Sequence, residues 1–161
     1  MGSRGVRGFS AQLLRERRTA LQLSQHALGA RIGKDRHAVI RYEMGRHLPE
    51  PRSLFALARE LGVLPTDLLD RPVHDLSWMR LRAGFEQSDV VPHVEGYPML
   101  ELGRVALQPD VADTLAGLFS SDSFQVTTPA VYAAHQAIRI VRGRGPASDP
   151  SRASAMPQRL R

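Results

Sequence analysis

The stretch Leu23-Ser-Gln-His-Ala-Leu-Gly-Ala-Arg-Ile-Gly-Lys-Asp-Arg-His-Ala-Val-Ile-Arg-Tyr-Glu-Met-Gly-Arg46 decides the fold. Ser24 has the short side-chain oxygen that caps a helix start, and apolar residues at Ala27, Leu28 and Ile32 follow at helical spacing. Gly33 breaks that helix in a tight turn. Asp35 caps the next helix, which runs to about Met44 with Val39 and Tyr42 pointing inward and ends at Gly45. Positions 36, 37 and 41 lie opposite Val39 and Tyr42, because residues four apart share a helix face. Two short helices therefore meet at a glycine turn. The first is small and apolar inside, and the second is polar and basic outside.

Around this pair the sequence predicts three more helices. Ser10 caps one to about Gln22, with Phe9 stapling its start and Leu13, Leu14 and Leu21 forming an apolar stripe. Pro49 and Pro51 bracket the entry to another over Arg52–Leu61, stopped by Gly62. Thr66 caps a short fifth, ending at Leu69. Strand signals are scarce. The expected fold class is all-α: a five-helix domain over 10–71, after a flexible start at 1–9.

Composition narrows the function. Basic residues outnumber acidic ones by 22 to 16, unevenly along the chain. Residues 1–73 carry a net charge of +6, residues 74–141 one of −4, and residues 142–161 one of +4. The basic first half suits a polyanion partner. An Arg-rich composition alone could equally come from a GC-rich genome, so spacing has to settle the matter. No apolar run approaches a membrane span, and the first residues lack the apolar core of a secretory signal, so a cytoplasmic, nucleoid-associated protein is expected. With no cysteine, disulfides, thiolate catalysis and cysteine zinc sites are excluded. The six histidines form no His-Glu-x-x-His or similar ligand spacing, and there is no phosphate-binding glycine loop and no Gly-x-Ser-x-Gly. Neither an enzyme, nor a metal site, nor a cofactor is expected.

The first domain resembles the phage repressor and Cro-type helix-turn-helix family, also called the xenobiotic-response-element family. The resemblance rests on Arg18, Leu23-Ser24-Gln25, Ile32-Gly33, the apolar pair Val39 and Tyr42, Glu43-Met44-Gly45-Arg46, and Pro49. It implies double-stranded DNA as partner, with the second helix of the pair in the major groove. Arg36, His37 and Arg41 match the positions that face base edges, and arginine forks onto guanine O6 and N7. Gln25 matches a position that bonds phosphate and buttresses the recognition helix. Lys34, Arg46 and Arg52, with His47, suit phosphate. Arg18 and Glu43 match a structural ion pair tying the first helix to the third. His37 is otherwise a plain exposed histidine. Ile40 either touches a thymine methyl or sits at the helix edge.

The second half repeats the plan. At an offset of 62, Leu14, Arg18, Leu23, Gln25, Leu28 and Ile32 pair with Leu76, Arg80, Phe85, Gln87, Val90 and Val94. At an offset of 58, Glu43, Gly45, Arg46, Pro51, Leu57 and Leu61 pair with Glu101, Gly103, Arg104, Pro109, Leu115 and Phe119. A duplication with a four-residue deletion between Val94 and Glu101 accounts for both offsets. The deletion removes about one turn of the expected second recognition helix, and Gly96 and Pro98 fall inside what remains, where proline fits only a first turn. Residues 75–140 are expected to form a degenerate copy serving packing, self-association or a protein partner, with Val126–Ile140 as a closing or dimerising helix. Residues 141–161, rich in Gly, Pro, Ser and Arg, read as a disordered basic tail. The functional expectation is a sequence-specific transcriptional regulator, acting as a homodimer or as a tandem-domain monomer. The alternative is an accessory or antitoxin-like protein of a plasmid or phage system.

Overall fold

Ser10, Ser24 and Asp35 each accept a backbone N–H three residues on, from Leu13, Ala27 and Ala38, and so start three successive helices. These are α1 (Ala11–Ala20), α2 (Gln25–Arg31) and α3 (Arg36–Glu43). The computed structural model describes residues 5–71, 74–121 and 124–141; residues 1–4 and the 142–161 part of the expected tail lie outside them. Next comes α4 (Pro51–Leu61), with proline in its first turn and left-handed Gly62 at its end. The expected fifth helix is a 3-10 turn, Pro65–Leu68. The second half contributes α5 (Leu76–Arg82), α6 (Gln87–Val90), α7 (Tyr97–Glu101), α8 (Pro109–Phe119) and α9 (Thr128–Val141). Among the described residues the chain is helical, as expected, with only isolated bridges at Phe9–Leu69 and Ser121–Phe124.

Two apolar cores form. Leu14, Leu28, Val39, Leu54, Leu57 and Leu68 are fully buried in the first; Leu76, Val90, Tyr97, Leu115 and Val131 are fully buried in the second. The cores are not separate. Leu81, on α5 of the second half, is buried in the first core, and Trp78 packs against both. Arg71 and Asp75 form an ion pair at 2.9 Å across the junction, and Asp75 also caps α5 through Trp78 N–H. No helix among the described residues is long and apolar enough to cross a membrane.

The structure corrects two expectations. Residues 5–9 of the segment expected to be flexible are packed: Val6 is buried and donates its N–H to Pro49 O at 2.8 Å, and Gly8 O accepts from Asp70 N–H. One buried apolar side chain and paired backbone groups hold this short arm. Leu21, expected on the buried stripe of α1, is half exposed, because the helix stops at Ala20 and the chain turns away through Gln22 at φ 54°. The glycine that matters most between α2 and α3 was not anticipated. A Cβ on Gly29 would stand 2.9 Å from Asp35 O, so the close approach of the two helices needs a residue without one.

His135 on α9 is 1% exposed, and its Nε2 lies 3.0 Å from Val105 O. Burial pushes its pKa down, the bond to Val105 partly offsets this, and the charge of Arg139 pushes it down further. The folded protein therefore holds a neutral ring that the unfolded chain protonates first, so stability is complete above about pH 6.5 and declines as pH falls below it. Urea midpoints compared at pH 7.5 and 5.5 should show that fall, and His135→Gln should flatten it. Gln22 is the only described non-glycine residue at positive φ, and Gly84, its counterpart at offset 62, has φ 81°. Gln22→Gly should stabilise by about 1 kcal/mol and Gly84→Ala should destabilise by a similar amount in thermal or chemical unfolding.

Candidate nucleic-acid interface

Arg18 is the buried anchor of the site. Its Nε meets Glu43 Oε1 at 2.5 Å, its second terminal nitrogen meets Oε2 at 3.0 Å, and the first donates to Leu23 O at 2.6 Å. Gln25 Nε2 donates to the same Oε2 at 2.8 Å. One carboxylate at the end of α3 thus collects α1, the turn before α2, and the start of α2. Only 4% of the Glu43 side chain is exposed. Burial alone would raise its pKa, but the hydrogen bonds from Arg18 and Gln25, with the charges of Arg18 and Arg15, hold it below the usual carboxylate value. The expected Arg18–Glu43 pair is present, and the buttressing part of the Gln25 expectation is visible as a hydrogen bond.

With that carboxylate fixed, α3 buries Ala38, Val39 and Tyr42 and turns Arg36, His37 and Arg41 outward, all three exposed. Ile40, between Arg36 and His37 around the axis of the same helix, is half-buried. Lys34 is exposed in the turn that its own N–H closes on Gly29 O at 2.9 Å. Arg46 and His47 are exposed in the loop after α3, their N–H groups both bonded to Arg41 O. Gln25, His26 and Arg36 line a shallow cleft between the starts of α2 and α3. Arg52 lies apart from this group. It sits at the start of α4, and its Nε lies 3.3 Å from Glu86 of the second half, an exposed pair of small energetic weight.

Residues 14–69 match the helix-turn-helix family model. Over 75 residues the chain is 40% identical to a protein of Rhodospirillum rubrum described as an uncharacterized transcriptional regulator in the ATPase CF(0) region; the match spans 43% of this chain and 68% of that protein. The chain belongs to the helix-turn-helix family. No solved structure matches it. The family match stops at residue 69, so the second half rests on its own geometry.

That geometry repeats three of the four bonds of the first network. Arg80 Nε meets Glu101 Oε1 at 2.6 Å, Arg80 also donates to Phe85 O at 2.7 Å, and Gln87 Nε2 donates to Glu101 Oε2 at 2.8 Å. The turns that close the two third helices also agree: Arg46 N–H bonds Arg41 O, and Arg104 N–H bonds Met99 O, each at 2.9 Å. Helices α4 and α8 have the same length, 11 residues, each with proline at its start. The contrast is in the third helix. α7 has 5 residues where α3 has 8, it begins after left-handed Gly96, and Pro98 stands in its first turn. Tyr97 fills the core there, donating to Glu101 Oε1 at 3.1 Å, and burial drives its phenol pKa far upward.

Removing one partner of the Arg18–Glu43 pair leaves a buried charge. Arg18→Met is expected to cost about 3–5 kcal/mol, and the double change Arg18→Met with Glu43→Leu considerably less, in denaturant unfolding. Because the Glu43 pKa is lowered by folding, its contribution is present above about pH 4.5 and lost as pH falls through the folded value. Glu43→Gln should therefore weaken the acid dependence of stability.

Proposed function

We propose that this protein is a transcriptional regulator that binds a short duplex DNA site by placing α3 in the major groove. The observation that carries this reading is the exposed face of Arg36, His37 and Arg41 on a helix whose opposite face and C-terminal carboxylate are fixed in the core. The named relative, a transcriptional regulator, supports it. Arg36 and Arg41 fork onto guanines, and His37 bonds a neighbouring base edge. Lys34, Arg46 and the Gln25 amide lie at the margins of α3, where phosphate runs, and set register without reading sequence. Arg52 belongs to this phosphate set only if it leaves Glu86, which an exposed pair at 3.3 Å allows.

The second half derives, on this reading, from a duplication of the first and no longer reads DNA. The repeated Arg–Glu–Gln network supports common descent. The loss of reading is supported by α7, which has no first turn to carry counterparts of Arg36 and His37 and puts half-exposed Met99 where Arg41 would be. One chain then supplies one reading head, and a symmetric operator calls for two chains.

Selection of binding sites from random duplex DNA tests this directly, returning a site with guanines and its symmetry. Arg41→Ala should relax preference at one guanine position, at a cost of about 1–3 kcal/mol for that base. Uniform loss on every sequence would make Arg41 a phosphate contact instead. Lys34→Ala should weaken all sites alike and lower the slope of log affinity against log salt by about 0.9. No sequence preference at any salt would sink the regulator reading.

A further inference from the structure

A cleft of about 750 Å³ opens between the two halves, away from the α3 face. Its walls come from the N-terminal arm at Val6 and Arg7, from Arg71 and Asp75 at the junction, and from Arg80, Glu101, Leu102 and Ile138 of the second half. Size and position suit a small-molecule site, since such sites favour clefts of roughly 300–1,000 Å³ where domains meet.

The hydrogen-bonding inventory of the walls gives the ligand's chemistry. A guanidinium carries five N–H donors and no acceptor. Arg80 commits its donors to Glu101, Phe85 O and the Tyr97 hydroxyl. Arg71 uses its two terminal nitrogens on Ser77 and Asp75. Among the described residues Arg7 makes no hydrogen bond or ion pair, and it is exposed on the cleft. The acceptors, by contrast, are committed. Asp75 holds Arg71 and the Trp78 N–H, and Glu101 holds Arg80, Gln87 and Tyr97. Three guanidiniums therefore face two carboxylates that are already engaged, leaving a surplus of donors and one positive charge. Val6, Leu102 and Ile138 supply an apolar wall beside it.

We infer that this cleft binds a small organic anion, a carboxylate on a compact apolar body, with Arg7 as its principal ion partner. The acid group takes the free guanidinium of Arg7 and the spare donor of Arg71, and the body covers Val6, Leu102 and Ile138. Such a ligand touches both halves at once. It stabilises the junction through any contact it makes only when they are together. The inference does not depend on which sequence α3 reads.

The test uses the full chain and paired probes: hexanoate and benzoate against hexanamide and benzamide, with inorganic phosphate as a bare anion. The acids should raise the thermal unfolding midpoint and give saturable calorimetric binding, while the amides and phosphate do neither. Arg7→Gln, at an exposed position, should keep the fold and weaken the acids by about tenfold or more, and Arg7→Lys should retain part of the affinity. Equal binding of acid and amide, no response to any probe, or unchanged affinity in Arg7→Gln would each overturn the proposal. DNA affinity measured without probes separates the remaining source of phosphate. Arg7→Gln should leave it unchanged, and a loss there would make the cleft a seat for the DNA backbone and overturn the small-anion assignment.

Discussion

The buried pair of Arg18 and Glu43 is the constraint on which the placement of α3 depends. A carboxylate and a guanidinium out of water are costly unless each finds several partners, and here both do. Glu43 receives Arg18 and Gln25; Arg18 also reaches Leu23 O. The result is directional in a way that apolar packing is not. Leucines at α1 and α3 would hold the helices together at a range of rotations. The forked pair fixes the rotation of α3 about its axis and therefore which side chains face outward. Ala38, Val39 and Tyr42 then fill the core, and Arg36, His37 and Arg41 have no place but solvent.

The same device holds the second half, where the helix it ends is short. Arg80, Glu101 and Gln87 reproduce the three-residue network, yet the helix that ends in Glu101 is short and carries an apolar Tyr97 and Met99. The scaffold and the surface it presents are thus separable. Tyr97 adds a bond to the carboxylate and bulk to the core. A proline at the second position of α7 costs nothing, because its missing N–H would be unpaired in a first turn anyway.

Much of this was legible in the sequence because it depends on local chemistry. Ser10, Ser24 and Asp35 announce helix starts by a mechanism confined to three residues, and all three starts were placed correctly. The Arg18–Glu43 pair, 25 residues apart, was legible only through resemblance to a family pattern. What escaped were features set by tertiary approach. Nothing local marks Gly29 as the point where α2 meets the turn before α3, and nothing local distinguishes Val6 of the arm from an exposed valine. Leu21 reads as part of the α1 stripe until the helix is seen to stop one residue earlier. The Arg52–Glu86 contact joins two halves whose relative placement no spacing rule supplies.

Leu81 changes what the two halves are to one another. It is carried by α5, yet its side chain is 1% exposed within the core that supports α3, and Trp78 is shared between the cores. Excising the second half would open a leucine-sized hole in the first core, a loss of the kind that costs roughly 2–5 kcal/mol in a packed interior. The second half is thus part of the foundation on which the first is built, and the chain cannot discard it without rebuilding that floor.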